Sequence, residues 1–235
     1  DEIAWEQTVD RPRGTLGILL NSLGDAYSAL LLDGLADYAQ ANDLNLGVVL
    51  MEGFANAEGA LGEYALISPE RFDGLVLTGA LAYQAEHGPD RLESFRARYP
   101  DLPMVGVLLE MDQVLSVSAD GYVGMRQAVE HLIDEHGYRR LAFIKGPPSS
   151  FVAQERYRAY VDVLADRDIP LSEDLVLPGD FTQEAGEAGV QRLLEQGVEI
   201  DALVCSNDDE ARGALEVRRT RGIQGPQEPA VTGFD

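Results

Sequence analysis

Four short apolar runs in the second half of the chain constrain the fold more than any other feature. They lie at residues 139–146, 174–181, 201–208 and 229–235. Gly, Pro or Asp bounds the runs, and the segments between them carry apolar residues with a helical period of about 3.6. Strands that alternate with helices form a parallel sheet with right-handed crossovers and helices on both faces. The second half therefore predicts an α/β lobe.

The first half repeats the same plan. Strands are predicted at residues 15–20, 45–52, 72–79 and 102–109, with helices at 28–41 and 91–98. The repetition predicts two tandem, doubly wound parallel-sheet lobes joined by a hinge. The predicted boundaries are 1–13 for a lead-in segment, 14–118 for the N-terminal lobe and 119–235 for the C-terminal lobe.

The join between the halves lies near residues 114–124. This segment has little loop of its own, so it favours a hinge over a loose linker. Asp120 and Gly124 are the candidate hinge residues, and the glycine is expected to supply backbone freedom at the crossing.

Composition excludes several classes of protein. The formal net charge is −23, from 41 acidic and 18 basic residues, so this segment is not expected to bind nucleic acid directly. No apolar run reaches the roughly 18 residues of a membrane span. The N-terminus lacks an apolar signal region, and the single cysteine, Cys205, excludes an internal disulfide. We expect a cytoplasmic protein.

No enzyme motif stands out. His87, His131 and His136 are too scattered for a metal triad, and the chain has no P-loop, nucleophile elbow or dinucleotide fingerprint. Cys205 sits inside a strand with no evident base beside it, which disfavours a thiol nucleophile. The sequence predicts a protein that is not an enzyme and that uses no metal or cofactor.

Polar and aromatic residues follow the strands of the C-terminal lobe, where parallel sheets bind ligands. These candidates are Arg156, Phe181, Asn207, Asp208 and Asp235. A guanidinium near a helix start offers a fork of donors to vicinal hydroxyls or a carboxylate. An aromatic ring suits the C–H face of a sugar, and an asparagine amide both donates and accepts. A carboxylate at Asp235, facing Arg156, would bracket a hydroxylated ligand.

Each of these candidates also has a purely structural interpretation. Arg156 could be a surface arginine paired with Glu155 or Asp162, and Phe181 could pack against the sheet edge. Asp208 is well placed to cap the following helix, so Asn207 is assigned to the ligand and Asp208 chiefly to the cap or to both. Asp235 could stabilise the hinge.

The N-terminal lobe contributes its own candidates. Asp25 and Tyr27 lie on the loop after the first strand, where the tyrosine could form a second stacking wall, and Thr78 ends the third strand. A local packing role is the alternative for a loop tyrosine.

Five segments of the sequence carry a family resemblance through their order and spacing. They are SADGYVGMRQAVEHLIDEHGYRRLAFIKGP, ERYRAYVDVLADRDIPL, PGDFTQEAGEAGVQRLL, DALVCSNDDEARGAL and GIQGPQEPAVTGFD. From about Gly14 to Asp235 the chain resembles the effector-binding core of the LacI/GalR repressor family, which has a type I periplasmic-binding-protein fold. The resemblance implies that Arg156 contacts the effector, that Phe181 stacks on it, and that the protein is a homodimer.

The sequence also departs from that family. It contains no helix-turn-helix ahead of Thr15, so DNA is expected to be contacted only through a separate domain. The family's final segment after Asp235 is missing, so the domain is expected to be C-terminally truncated. The run ISPERFDGLVLTGAL, at residues 67–81, resembles sensor modules fused to diguanylate cyclases or histidine kinases.

The leading functional hypothesis is a sensing domain of a transcriptional regulator or signalling protein. A small, sugar-like effector would bind between the lobes, and lobe closure would be transmitted to an output domain. One alternative is an extracytoplasmic solute-binding protein of a transporter. Another is a scaffold that dimerises without a ligand.

Overall fold

The computed structural model describes residues 13–20, 23–24, 26–51, 66–79, 81, 88–222 and 228–235. The chain divides into two compact units, Asp1–Val117 and Ser118–Asp235. Each unit is built around a parallel sheet of its own. The predicted α/β class with parallel sheets is therefore confirmed.

The first unit contains five parallel strands in the order β2-β1-β3-β4-β5. Its strands are β1 (Thr15–Leu20), β2 (Asn45–Leu50), β3 (Gly74–Thr78), β4 (Met104–Val107) and β5 (Leu115–Val117). Its described long helices are α1 (Ala26–Ala41) and α2 (Gly88–Arg98). The strand predicted at residues 15–20 coincides with β1, and the other predicted strands are a few residues longer than the observed ones.

The second unit contains four parallel strands in the order β7-β6-β8-β9. The strands are β6 (Leu141–Ile144), β7 (Val176–Leu177), β8 (Ala202–Cys205) and β9 (Ala230–Thr232). The helices are α3 (Gly121–Asp134), α4 (Phe151–Asp166), α5 (Gln183–Gln196) and α6 (Asp208–Thr220). All four strands fall within the runs predicted from the sequence.

The continuous apolar character of the strands reflects sheets that are covered on both faces. In β6, Leu141 and Phe143 belong to one hydrophobic cluster, whereas Ala142 and Ile144 belong to another. Successive side chains of a strand point to opposite faces, so each face of this sheet has its own core. The residues of β1 are divided between two clusters in the same way.

Three helices of the second unit begin at the carboxyl edge of its sheet. Ser150, Thr182 and Asn207 are the N-caps of α4, α5 and α6, and each side-chain oxygen accepts a backbone N–H from three residues further on. Each such cap stabilises its helix by about 1 kcal/mol. Because α4, α5 and α6 follow β6, β7 and β8, this edge collects strand ends and helix starts.

The segment predicted as a simple crossing has more structure than expected. Residues 114–124 include β5 and the start of α3, whose N-cap is Asp120. Gly124 lies within α3 without a positive φ angle, and a Cβ there would lie 2.1 Å from the Phe234 ring. The expected need for backbone freedom at Gly124 is therefore wrong, because the glycine makes room for a ring. The hinge role of Asp120 and Gly124 stays a prediction.

None of the helices in the described parts of the chain is both long enough and apolar enough to cross a membrane.

Helices α5 and α6 cross with their backbones in contact. A Cβ on Gly213 of α6 would lie 1.9 Å from the carbonyl oxygen of Gln183, and one on Gly186 of α5 would lie 2.0 Å from that of Glu210. Real Cβ atoms do not approach backbone so closely, so any side chain here forces the two helices apart. This crossing fixes the start of α6 relative to the start of α5.

We predict that Gly213→Ala lowers the free energy of unfolding by about 1–3 kcal/mol, because the added methyl group overpacks the crossing. Gly34→Ala is the matched control, since Gly34 lies in α1 and a Cβ there meets nothing within 4 Å. That control should raise stability by up to about 1 kcal/mol through helix propensity. Urea denaturation followed by circular dichroism measures both. Equal effects of the two substitutions would contradict the close crossing.

Candidate functional site

The carboxyl edge of the second sheet brings together the residues that follow its strands. Gly146 follows β6, Phe181 follows β7, Asn207 follows β8 and Phe234 follows β9. Because the strands are parallel, these residues emerge at the same edge, which is where ligands bind in open α/β sheets. Contacts among them define a candidate site within the second unit, named here the strand-end site.

Arg156 lies at the centre of the strand-end site. Its side chain rises from the second turn of α4, and the residue is only 3% exposed. Its Nη1 donates a hydrogen bond of 2.8 Å to the carbonyl oxygen of Ser206. Its guanidinium carbon lies 5.8 Å from the centroid of the Phe181 ring and 5.3 Å from that of Phe234. Two aromatic rings thus flank a buried cation.

The alternative of a surface arginine paired with Glu155 or Asp162 does not describe Arg156. Arg158 makes the ion pair with Glu155, at 2.8 Å, and Asp162 accepts a hydrogen bond of 2.9 Å from the Tyr122 hydroxyl. The two arginines lie two positions apart on α4, so they point to different sides of the helix.

Phe181 adopts a backbone conformation that is unusual for a side-chain-bearing residue, with a φ angle of 70°. Its ring packs against Gly146, where a Cβ would lie 2.3 Å from a ring carbon. Its carbonyl oxygen accepts a hydrogen bond of 3.1 Å from Nδ2 of Asn207. The ring is therefore held both by a close backbone approach and by a hydrogen bond from the neighbouring loop.

The division of roles between Asn207 and Asp208 differs from the expectation. Asn207 is the N-cap of α6, with its Oδ1 accepting the backbone N–H of Glu210 at 3.0 Å, so the assignment of the cap to Asp208 is wrong. Asp208 is the exposed first residue of the helix, and its Oδ1 lies 2.5 Å from where a Cβ on Gly233 would be. Asn207 serves the scaffold with one amide oxygen and one amide hydrogen. Contact of either residue with a ligand stays a prediction.

Glu210 is a member of the site that the sequence reasoning missed. It is fully buried, and its two carboxylate oxygens accept hydrogen bonds of 3.0 Å from the backbone N–H groups of Phe181 and Ser206. Burial raises the pKa of this carboxyl to about 8, although the backbone hydrogen bonds oppose the shift. The spacing of Asn207 and Glu210 is that of a capping box, which was the available signal.

Phe234 was also missed, although it precedes the predicted Asp235. Its ring packs against Gly124 of α3 and contributes the second aromatic face at Arg156. Asp235 is exposed. Its proposed position opposite Arg156 stays a prediction.

The candidates of the first unit are described within that unit alone. Thr78 is fully buried at the end of β3, and its hydroxyl donates a hydrogen bond of 3.2 Å to the carbonyl oxygen of Leu19. Tyr27 is partly buried in the first turn of α1, and Asp25 lies outside the described residues. The hydroxyl of Thr78 thus joins two strands, and the ligand roles of these three residues stay predictions.

The remaining reactive groups at this sheet edge are buried or engaged in contacts. Burial raises the pKa of the Cys205 thiol, which keeps it protonated and unreactive. The Lys145 ammonium lies 4.0 Å from the centroid of the Tyr157 ring, in a cation–π contact. Over the described ranges, His, Cys, Asp and Glu form no group of three that could hold a metal ion.

Comparison with known proteins gives consistent matches along nearly the whole chain. The chain is 28% identical to the ribose operon repressor of Haemophilus influenzae over 96% of its own length and 65% of the repressor. Its structure matches that of the Escherichia coli transcriptional repressor ascG with a TM-score of 0.70 at 28% identity, covering 94% of this chain and 79% of that one. It matches a transcriptional regulator CelR–cellobiose complex with a TM-score of 0.76 at 25% identity, covering 95% and 68%.

The chain spans 32% to 65% of the length of the curated relatives it matches. The family described as periplasmic binding proteins and sugar binding domain of LacI family matches residues 13–235. This match takes in both sheets and every residue of the strand-end site. The chain therefore belongs to the family of periplasmic binding proteins and LacI-type sugar-binding domains.

Proposed function

We propose that the chain is the effector-sensing domain of a transcriptional regulator and that the strand-end site takes the effector. The observation that carries the proposal is the buried Arg156 guanidinium between the Phe181 and Phe234 rings. Hydrogen-bond donors beside flat apolar faces match a ring that carries hydroxyl groups on its edge and C–H groups on its face.

The effector that this site fits best is a neutral polyhydroxyl compound. Asp180, Asp208 and Asp235 follow the ends of β7, β8 and β9, so three carboxylates belong to the same sheet edge as Arg156. A phosphorylated or carboxylated sugar would meet these carboxylates and the overall charge of −23. The relative whose complex with cellobiose is known supports a neutral saccharide.

We further propose that the units Asp1–Val117 and Ser118–Asp235 act as two lobes that close on the effector. Asp25, Tyr27 and Thr78 would then supply contacts from the first lobe, and the segment at Asp120 and Gly124 would bend. The effector drives closure only by its higher affinity for the closed form. No catalytic step is required, and the relatives are named as regulators rather than enzymes.

The output is proposed to be DNA binding in the cytoplasm through a separate domain, as expected for a relative of named transcriptional repressors. One competing proposal is fusion to a diguanylate cyclase or histidine kinase. The other is that the chain is an extracytoplasmic solute-binding protein of a transporter. The coding sequence on either side of the chain would distinguish these three proposals. A helix-turn-helix supports the regulator, a catalytic domain the signalling protein and a secretion signal the transporter component.

The first test of the proposal is a thermal-shift screen of the purified chain with D-ribose, D-galactose and cellobiose. A sugar that binds only the folded form raises the unfolding temperature by mass action. In Arg156→Lys this shift should disappear, with affinity at least about tenfold weaker, because an ammonium cannot replace the planar fork of donors. Arg158→Lys on the same helix is the matched control, since Arg158 pairs with Glu155 at the surface.

An unchanged shift in Arg156→Lys would remove Arg156 from the effector site. Loss of the shift in both variants would point to a general effect of substitutions on α4.

A second prediction concerns the charge of the effector. A neutral sugar that binds should bind at least about tenfold more tightly than its phosphate ester, because the ester brings a dianion beside carboxylates. Isothermal titration calorimetry at about 50 mM and about 500 mM salt measures the difference, which should shrink as salt screens the repulsion. Tighter binding of the ester would contradict a neutral effector.

Homodimer formation is a further part of the proposal. Leu30 and Tyr38 of α1 are 73% and 57% exposed, and they lie about two helical turns apart. Leu30→Glu should convert a dimer to a monomer in sedimentation equilibrium, because the carboxylate cannot be buried against a second copy. Leu215→Glu, at an exposed position of α6, is the control and should leave the dimer intact. A dimer that survives Leu30→Glu would exclude this face.

A further inference from the structure

The carboxylate of Glu210 binds the scaffold of the strand-end site at two points. One oxygen accepts the Phe181 backbone N–H and the other accepts the Ser206 backbone N–H, each at 3.0 Å. Gly179 makes this possible, since a Cβ there would lie 2.4 Å from Oε1 of Glu210. The side chain thus links the loop after β7 to the loop after β8.

Both linked residues lead directly to groups at the proposed effector site. Phe181 bears one of the rings that flank Arg156, and the carbonyl oxygen of Ser206 accepts the hydrogen bond from Arg156 Nη1 at 2.8 Å. A displacement of either loop would therefore move the ring or the guanidinium. Glu210 itself is fully buried, so it acts on the site through the residues that it holds.

Phe181 needs external restraint to keep its conformation. Its φ angle of 70° lies in the left-handed region, which is unfavourable for a residue with a Cβ. Glu210 holds its N–H and Asn207 holds its carbonyl oxygen, so hydrogen bonds fix both sides of the same residue. Such a conformation persists only where the surrounding structure determines it.

We propose that Glu210 is a positioning residue that holds the Phe181 ring and the Arg156 guanidinium in the arrangement that binds the effector. The proposal rests on the proposed function of the strand-end site. Among the residues that the structure describes, Glu210 is the buried carboxylate at this edge, and the family resemblance did not single it out.

The ionised form of Glu210 is the one that serves both amides, because a carboxylate offers acceptors on both oxygens whereas a protonated acid converts one oxygen to a donor. The start of α6 favours the negative charge, and desolvation opposes it. Asp180 after β7 and Cys205 on β8 interact with Glu210 electrostatically, and Arg156 on α4 binds the neighbouring Ser206 carbonyl. Asp208 and Asp209 lie on the same helix as Glu210, and α5, which crosses that helix, carries Glu184 and Glu187.

The direct test compares Glu210→Gln with the wild-type chain by amide hydrogen exchange at about pH 9, where Glu210 is ionised, using ¹⁵N-labelled protein and NMR. Glutamine keeps the shape but turns an NH₂ group toward one of the two amides, so protection at Phe181 or Ser206 should fall at least about tenfold. Glu216→Gln is the matched control, since Glu216 lies on the same helix and pairs with Arg219 at the surface. Protection within about twofold of wild type at both amides would overturn the proposal.

A measurement on the wild-type chain needs no variant. The amide resonances of Phe181 and Ser206 should follow one shared titration between pH 4 and pH 9.5, with a midpoint at about pH 8. Their protection should rise as the carboxylate ionises. Absence of a shared titration would also overturn the proposal, whether or not Glu210→Gln folds.

As pH rises, the free energy of unfolding should change in the direction opposite to the amide protection. The pKa of Glu210 is raised from 4.5 to about 8 in the folded chain, so its stabilising contribution is complete below about pH 4.5 and is lost as pH rises through about 8. Glu210→Gln should lack this loss in urea denaturation. If Glu210 only stabilised the fold, the free energy of unfolding and the amide protection at Phe181 and Ser206 would change with pH in the same direction. If Glu210 positions the site, protection rises with pH while the free energy of unfolding falls.

Sugar affinity distinguishes this proposal from the proposed function. At about pH 9, where Glu210 is ionised, any sugar of the panel that binds wild type should bind Glu210→Gln at least about fivefold more weakly, and Glu216→Gln as tightly as wild type. If no sugar binds wild type, the effector proposal fails while the exchange and titration results still decide whether Glu210 holds Phe181 and Ser206. Equal sugar affinity of Glu210→Gln and wild type would overturn the positioning role.

Discussion

The buried guanidinium of Arg156 is the interaction on which the arrangement of the strand-end site depends. Burial of a cation is strongly unfavourable unless hydrogen bonds and polarisable groups replace water. The Ser206 carbonyl and the faces of Phe181 and Phe234 provide that replacement. Because these groups come from the loops after three different strands, the position of Arg156 fixes the loops relative to one another.

Close approaches to glycine make this arrangement possible. Gly146 accommodates the Phe181 ring, and Gly124 accommodates the Phe234 ring. At each position a Cβ would lie under 3 Å from ring carbons, so the rings could not reach the arginine if these residues had side chains. The glycines that allow close packing at the sheet edge are therefore also the residues that allow the two rings to reach Arg156. A substitution that leaves Arg156 untouched can still displace what surrounds it.

The polar groups of the strand-end site also organise the loops that form it. Asn207 and Glu210 each join two of these loops through side-chain hydrogen bonds. An effector that engaged the arginine and the rings would add contacts to an edge that is already organised, at a small cost in ordering. Any signal would then come from a difference in affinity between conformations of the whole chain.

The sequence by itself determined the α/β class, the repeated plan of the two halves, the positions of the described strands other than β5 and the residues at their carboxyl ends, because hydrophobic periodicity is a local signal. Only the tertiary structure decided that Arg156 is buried between two rings, that Asn207 rather than Asp208 caps α6, and that Glu210 and Phe234 belong to the site. These features depend on contacts between loops after different strands, which residue type and spacing along one strand do not encode.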